Sequence, residues 1–213
     1  MRVILLRHAE CLGNVDKSAY TTIPDHSLPL TEHGEKQARD AGARIRGLVG
    51  GGRLGVFVSP YRRTLHTLAL LDLDPVWTVQ EPRLREQDWG NLQDPEEQVR
   101  QEAERNVYGH FFYRLSHGES GADVDDRLAA FLTELPSHTA DVDVYLVVTH
   151  GLTMRLLARR ALGWSVALFE ALSNPACCED RILTSGPSGW TLDRPFEQWR
   201  PASDASGQIP TTR

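Results

Sequence analysis

The chain has 213 residues, is 40% hydrophobic and 24% charged, and carries a formal net charge of −6 at pH 7. This composition predicts one folded domain with a sizeable core and excludes global disorder, while the acidic balance disfavours nucleic acid and membrane surfaces as partners. No apolar run approaches the roughly 20 residues that cross a bilayer, and the N-terminal run is too short for a secretory signal, so we expect a cytoplasmic protein.

The predicted elements alternate between strands and helices along the chain. Thr31 is a suitable N-cap for the predicted helix 32–48, and the glycines at 50–52 end that helix. Such alternation predicts an α/β fold, in which helices cover both faces of a mostly parallel sheet to give a three-layer α/β/α sandwich. In chain order, the predicted strands cover 3–6, 55–58, 76–79 and 144–148, and the predicted helices cover 32–48, 62–71, 96–112, 123–135 and 152–162.

The domain organisation follows from composition. Residues 1–193 are expected to form a single domain, and the segment 82–121, richer in charge and aromatic residues, is expected to be an insertion or lid over the sheet. Its aromatic residues at 108 and 111–113 are spaced like a helix face, which favours packing over contact with substrate. Residues 194–213 turn to Pro, Ser, Gly and Gln and predict a poorly ordered tail.

The cysteines and most of the histidines do not indicate a metal or a disulfide. Cys11, Cys177 and Cys178 lack zinc-finger spacing and make a poor disulfide framework, so reduced thiols are expected. No metal and no cofactor are predicted, because the remaining histidines do not follow a metal-ligand spacing. These histidines are His26, His33, His66, His110, His117 and His138.

Polar residues that suit phosphate chemistry follow three of the predicted strands. Arg7 and His8 follow the first strand, Arg62 and Arg63 follow the second, and His150 follows the last. Ligands of an open α/β sheet bind outside the carboxyl ends of its strands, so we expect these side chains to meet. Arginine pairs two phosphate oxygens with its planar fork, and a neutral imidazole can attack phosphorus. The sequence therefore predicts a phosphoryl-transfer site without a metal.

These residues lie in motifs that resemble the histidine phosphatase superfamily, which includes cofactor-dependent phosphoglycerate mutases and many small phosphatases. The hallmark Arg-His-Gly motif is matched by Arg7-His8-Ala9, and the resemblance runs in order over roughly residues 2 to 155, which makes a chance match improbable. The further matched positions are Asn14, Leu30-Thr31-Glu32-His33-Gly34 with Gln37-Ala38, Ser59-Pro60 with Arg63 and Thr67, Leu84-Arg85-Glu86 with Trp89-Gly90, Gly118-Glu119-Ser120, and His150-Gly151.

The resemblance implies a phosphoglycerate mutase-like fold and a role for each matched residue. His8 would be the nucleophile that forms a phosphohistidine, and Glu86 would donate a proton to the leaving oxygen and later activate water. The phosphoryl group would be bound by Arg7, Asn14, Arg63, His150 and Gly151.

The sequence does not decide the roles of three further residues. Spacing from Ser59 favours Arg63 over Arg62 as the phosphate ligand, so Arg62 would face solvent or the substrate tail. Glu119 and Ser120 would either hydrogen-bond a substrate tail or cap the following helix.

The resemblance also implies the activity. The segment from Phe111 to Arg127 looks like the phosphoglycerate mutase-like phosphatases of branch 1, which implies a phosphomonoesterase of the histidine acid phosphatase type acting on a small phosphorylated metabolite. The Ser- and Pro-rich tail differs from the ordered tail of the mutases and favours hydrolysis. A phosphoglycerate mutase and a catalytically silent phospholigand-binding module are the alternatives. The sequence does not determine the substrate, the pathway or the oligomeric state, and a homodimer is one of the alternatives.

Overall fold

A six-stranded sheet forms the centre of the fold in the computed structural model, which describes residues 1–90, 93–135 and 141–200. The strands are β1 (Arg2–Arg7), β2 (Leu54–Val58), β3 (Trp77–Gln80), β4 (Val144–Thr149), β5 (Asp180–Gly186) and β6 (Gly189–Leu192). They lie in the order β3-β2-β4-β1-β5-β6; the first four of these pair in parallel, and β5 and β6 run antiparallel to their neighbours. The mostly parallel sheet is therefore confirmed.

Helices cover both faces of this sheet. They are α1 (Leu12–Val15), α2 (Glu32–Val49), α3 (Arg62–Leu70), α4 (Pro95–Tyr108), α5 (Gly121–Glu134), α6 (Gly151–Leu162) and α7 (Val166–Ala171), with 3-10 turns at Lys17–Thr21, Asp25–Ser27 and Pro82–Leu84. Residues that alternate along β4 enter different cores: Tyr145 and Val147 pack with residues of α5, α6 and α7, while Leu146 and Val148 pack with residues of α2 and α3. This arrangement is the predicted three-layer sandwich.

The ends of α2 follow the predicted signals, whereas α4 ends earlier than predicted. The Thr31 hydroxyl accepts a hydrogen bond from the Gly34 amide at 2.9 Å, and Gly50 ends α2 with a φ of 66°. The prediction that α4 continues to residue 112 is wrong, because Gly109 adopts a φ of 114° and ends the helix at Tyr108. The aromatic residues around 111 consequently do not form one helix face.

The segment 194–200, which composition assigned to the tail, lies against the domain. Phe196 is buried, the Ser173 amide donates to the Glu197 carbonyl at 2.7 Å, and the Trp199 amide donates to the Ala171 carbonyl at 3.0 Å. Residues 201–213 of the predicted tail lie outside the described residues. Within the described part of the chain, no helix is both long and apolar enough to span a bilayer.

Gly34 provides a test of how α2 is seated against the loop that follows β1. A Cβ built at Gly34 overlaps the carbonyl oxygen of Glu10, while a Cβ at Gly47 on the same helix meets nothing within 4 Å. We expect Gly34→Ala to lower the free energy of unfolding by about 1–3 kcal/mol through overpacking, whereas Gly47→Ala raises it by about 0.5 kcal/mol through helix propensity. Urea unfolding curves measure both, and equal effects of the two substitutions would contradict this packing.

Candidate active site

Parallel pairing brings the ends of three strands to one edge of the sheet. Arg7 of β1 lies beside Thr149 of β4, and Val58 of β2 lies beside Val148. The pairing continues one step beyond the strands, since the His8 amide donates to the Thr149 carbonyl at 2.9 Å. The rings of His8 and His150 consequently meet edge to face, with centroids 5.2 Å apart.

A cavity of about 240 Å³, here called the phosphoryl cavity, opens at this edge. Five of the residues predicted for the site line it, namely Arg7, His8, Asn14, Arg63 and Glu86. The remaining lining residues are Cys11, Gly13, Lys17, Tyr20, Asp25, Trp89, Gln98, Glu102 and Asn174.

His8 is held as a neutral imidazole with a defined tautomer. Its Nδ1 lies 2.7 Å from the Ala9 carbonyl oxygen, which can only accept, so Nδ1 carries the hydrogen and Nε2 carries the lone pair. Burial, followed by the charges of Arg63 and Arg7, lowers the pKa of His8 well below its ordinary value. The arrangement leaves a nucleophilic nitrogen available at neutral and mildly acidic pH.

His150 lies fully buried at the start of α6, next to His8. Its Nε2 lies 2.8 Å from the Ser59 hydroxyl, and its buried Nδ1 has no hydrogen-bond partner among the described residues. Burial, then the charges of Arg63 and His8, lower the pKa of His150 well below its ordinary value. A neutral imidazole anchored at Nε2 can present an Nδ1–H group to an oxyanion.

Arg7 and Arg63 supply the positive charge of the site. The Nη1 atom of Arg63 donates to both the backbone oxygen of Asp25, at 2.7 Å, and its carboxylate, at 2.9 Å. The Nη1 atom of Arg7 donates to the Pro175 carbonyl. In both arginines Nε is buried without a partner among the described residues. Each guanidinium is therefore fixed at one end and keeps donors for a bound anion.

Glu86 places a carboxylate on the wall of the same cavity. Its Oε1 accepts hydrogen bonds from the Gln87 amide at 3.1 Å and from the Thr153 hydroxyl at 3.2 Å. Thr153 belongs to the first turn of α6, which begins directly after His150. The same helix therefore positions both His150 and the candidate proton donor.

Asn14 and Gly151 have local roles beside the cavity. The Asn14 side-chain oxygen accepts from the Cys11 amide at 2.9 Å while the residue lines the cavity. Gly151 begins α6 and packs closely on Asn174, since a Cβ there would lie 2.8 Å from the Asn174 side chain.

Five predicted site residues do not line the phosphoryl cavity: His150 and Gly151, which lie buried beside it, and the three predicted substrate contacts Arg62, Glu119 and Ser120. Arg62 is exposed at the start of α3. The Ser120 hydroxyl accepts from the Asp123 amide at 3.2 Å and caps α5, which is the capping alternative. The Glu119 carboxylate pairs with Arg85 at 2.5 Å and Arg127 at 3.0 Å.

Several cavity residues were not predicted from the sequence. Tyr20 and Asp25 lie in the 3-10 turns between α1 and α2, Lys17 begins the first of these turns, and Asn174 follows α7. None of these residues directly follows a predicted strand, which was the signal used to choose site residues. The position of residues 17–25 shortly after the Arg7-His8-Ala9 motif was a usable clue.

No cluster of three or more His, Cys, Asp or Glu side chains suited to a metal ion occurs in residues 1–90, 93–135 and 141–200. His138, one of the histidines considered above, lies outside the described residues. The three cysteines are free thiols.

Comparison with known proteins matches residues 3–198 to the family described as the histidine phosphatase superfamily, branch 1. The chain is 41% identical to the phosphoglycerate mutase-like protein AT74H of Arabidopsis thaliana over 211 residues, which cover 88% of this chain and 75% of that protein. It is 42% identical to the broad-range acid phosphatase DET1 of Saccharomyces cerevisiae over 100 residues, which cover 44% of this chain and 30% of that protein.

A solved structure shares the fold over nearly the whole chain. The mycobacterial glucosyl-3-phosphoglycerate phosphatase in complex with VO3 superimposes with a TM-score of 0.71 at 26% identity, covering 90% of this chain and 96% of that one.

The protonation state of His8 can be measured directly. Burial and the two arginines lower the pKa of His8. The neutral imidazole should therefore persist as the pH falls from 7 to 5, whereas an ordinary histidine is half protonated at about pH 6.5. Imidazole ¹⁵N shifts, with the His8 signal assigned by its loss in His8→Gln, report this state. A midpoint near pH 6.5 for that signal would contradict the electrostatic account.

Proposed function

The chain belongs to the histidine phosphatase superfamily, branch 1, and we propose that it is a phosphomonoesterase that hydrolyses a small phosphorylated metabolite through a phosphohistidine at His8. The observation that carries the proposal is the neutral, buried imidazole of His8 in one cavity with Arg7, Arg63 and Glu86. The yeast relative and the mycobacterial structure are both named as phosphatases, which supports hydrolysis.

In the first step, the Nε2 lone pair of His8 attacks phosphorus while Arg7 and Arg63 hold the phosphoryl oxygens. A bond forms between Nε2 and phosphorus, and the bond between phosphorus and the ester oxygen breaks. Glu86 gives its proton to the leaving oxygen, so the alcohol departs neutral. The bond from Nδ1–H to the Ala9 carbonyl, 2.7 Å long, stabilises the positive charge that develops on the ring.

In the second step, water attacks the phosphohistidine. The Glu86 carboxylate takes a proton from the water, the bond between phosphorus and nitrogen breaks, and inorganic phosphate leaves His8 neutral again. The arginines and the Nδ1–H of His150 stabilise the equatorial oxygens in both steps. No step requires a metal, because the guanidinium groups supply the positive charge.

Phosphoglycerate mutase action is the second candidate, favoured by the name of the Arabidopsis relative. A mutase must hold a second anionic group close to the first. Besides the two arginines, Lys17 is the one lysine or arginine among the described residues that line the phosphoryl cavity, and it pairs with Glu102 at 2.7 Å. This pairing favours hydrolysis.

Replacement of His8 tests the nucleophile. His8→Ala should lower phosphate release from p-nitrophenyl phosphate by about 10³-fold or more. It should also abolish radiolabelling by a ³²P substrate, because the neighbouring imidazole of His150 has its Nε2 engaged by the Ser59 hydroxyl and offers an N–H group, not a lone pair, to the phosphoryl group. The matched control is His33→Ala on the exposed face of α2, with an expected change below about twofold. Undiminished release by His8→Ala would rule out this mechanism. Exchange of phosphate between the positions of phosphoglycerate without release of free phosphate would establish the mutase instead.

Replacement of Glu86 tests the proton donor and acceptor separately from the nucleophile. Glu86→Gln should slow hydrolysis of an alkyl phosphate by about 10²–10⁴-fold. Labelling of His8 by p-nitrophenyl phosphate should persist, because p-nitrophenolate leaves without a proton. Since the variant cannot activate water, the phosphohistidine should accumulate. Rapid-quench labelling under alkaline conditions measures both steps, and equal slowing of both with p-nitrophenyl phosphate would contradict the role of Glu86.

A further inference from the structure

We propose that a second cavity, beside the phosphoryl cavity, binds the alcohol portion of the substrate and selects sugar or polyol phosphates over phosphomonoesters that carry a second anionic group. This cavity, here called the alcohol cavity, measures about 230 Å³. The inference rests on the proposed phosphomonoesterase function and adds the class of substrate. Its principal lining residues are Tyr20, Tyr61, Trp89, Asp25, Asp88 and His26.

The two cavities adjoin through shared walls. Tyr20, Asp25 and Trp89 line both of them. Tyr61 connects the alcohol cavity to the catalytic groups, because its ring lies edge-on to His150 with centroids 5.1 Å apart and beneath the Arg63 guanidinium at 4.9 Å. A phosphomonoester whose phosphorus faces His8 can therefore extend its alcohol portion between these aromatic rings.

The aromatic walls suit a hydroxylated carbon chain or ring. Tyr20 is packed on Gly13, where a Cβ would lie 2.7 Å from its ring, and Trp89 lies 5.0 Å from the Arg105 guanidinium of α4. Ring faces held in this way pack on the C–H faces of a sugar or polyol. Burial, followed by the Asp25 charge, raises the pKa of Tyr61 to about 12 and also raises that of Tyr20, so both hydroxyls stay neutral hydrogen-bond donors.

The charge of the alcohol cavity opposes a second anion. Asp25 and Asp88 contribute carboxylates, while no lysine or arginine is among the described residues that line this cavity. Asp25 is already paired through one oxygen with Arg63, and Asp88 accepts from the Gly90 amide at 2.8 Å and is otherwise exposed. Carboxylates accept hydrogen bonds from hydroxyl groups, but they repel a second carboxylate or phosphate that is brought close to them.

The lysine on the neighbouring wall does not offset this repulsion. Lys17 lines the phosphoryl cavity only, and its ammonium group pairs with Glu102 of α4 at 2.7 Å. The phosphoryl group itself engages Arg7 and Arg63, so neither guanidinium is left for a second anion. Selectivity against phosphomonoesters that carry a carboxylate or a second phosphate follows from this distribution of charge.

Glycerol 3-phosphate and 3-phosphoglycerate form a matched pair that tests the inference, because they differ in a hydroxymethyl group against a carboxylate. The full-length protein should hydrolyse glycerol 3-phosphate with a kcat/KM at least about tenfold higher, and glucose 6-phosphate should exceed 6-phosphogluconate in the same way. Both ratios should shrink between about 20 mM and 500 mM NaCl, because salt screens the repulsion. A ratio near one, or a preference for the carboxylate, would overturn the inference.

Asp88→Asn removes one of the two charges while keeping an acceptor for the Gly90 amide. We expect the ratio of kcat/KM for glycerol 3-phosphate to that for 3-phosphoglycerate to fall about threefold, as for a partly screened charge pair. The control Asp72→Asn makes the same change of net charge on a side chain that is 97% exposed, and it should leave the ratio unaltered. An unchanged ratio in Asp88→Asn would contradict the role of this carboxylate, and the salt dependence of the unmodified protein decides the matter if that variant fails to fold.

Failure of this inference is distinguishable from failure of the proposed function. If p-nitrophenyl phosphate is hydrolysed in a His8-dependent way while the matched pairs of substrates show no discrimination, the proposed phosphatase activity is supported and the proposed selectivity of the alcohol cavity is wrong. If no phosphomonoester releases phosphate, the proposed function fails first.

Discussion

The parallel pairing of β2, β4 and β1 is the constraint on which the rest of the structure depends. Adjacent parallel strands end at the same edge, so residues separated by more than 140 positions, such as His8 and His150, come within 5.2 Å of each other between ring centroids. The backbone bond between His8 and Thr149 extends this register into the site. The position of His8, the proposed nucleophile, is thus set by its pairing with the end of β4.

Burial at this edge has an electrostatic consequence that links packing to chemistry. Two imidazoles enclosed beside Arg7 and Arg63 take the neutral form, and neutrality is what a nitrogen nucleophile requires. The nearly buried Arg63 side chain is in turn paired with Asp25, because a buried charge without a partner is costly. Asp25 therefore supports the site from a segment that contributes none of the predicted catalytic groups, and it also places a carboxylate where the substrate's alcohol portion is expected.

Much of the fold was predictable because its signals are local. The strand 144–148 and the helix 32–48 each carry a clear apolar pattern, and Thr31 and Gly50 mark the ends of α2. The short helices α1 and α7, of four and six residues, are too short to show a helical period. The strands β5 and β6 were missed because both have mixed polar sequence. The strand β5 pairs with β1, which is distant in the chain, whereas β6 pairs with β5 across the two-residue turn at 187–188, a local hairpin signal that the sequence-based prediction did not use.

The site residues likewise divide into those with a local sequence signal and those without one. The sequence predicted that His8, Arg63 and His150 would meet because each follows a strand end, and topology fixes where strand ends meet. Contacts such as the pair between Arg63 and Asp25, 38 residues apart, depend on loop conformation that no local pattern records. The substitution of alanine for the motif's glycine at Ala9 is accommodated, as Ala9 is buried and its amide donates to the Thr67 hydroxyl at 3.0 Å.

A crystal structure of the protein with vanadate, which mimics a phosphoryl group in transfer, tests the central claim most directly. The account predicts vanadium bonded to Nε2 of His8, with equatorial oxygens bound by Arg7, Arg63 and His150 and the apical oxygen facing Glu86. Vanadate bound through Nδ1 of His8, or seated at a position that His8 does not reach, would contradict it.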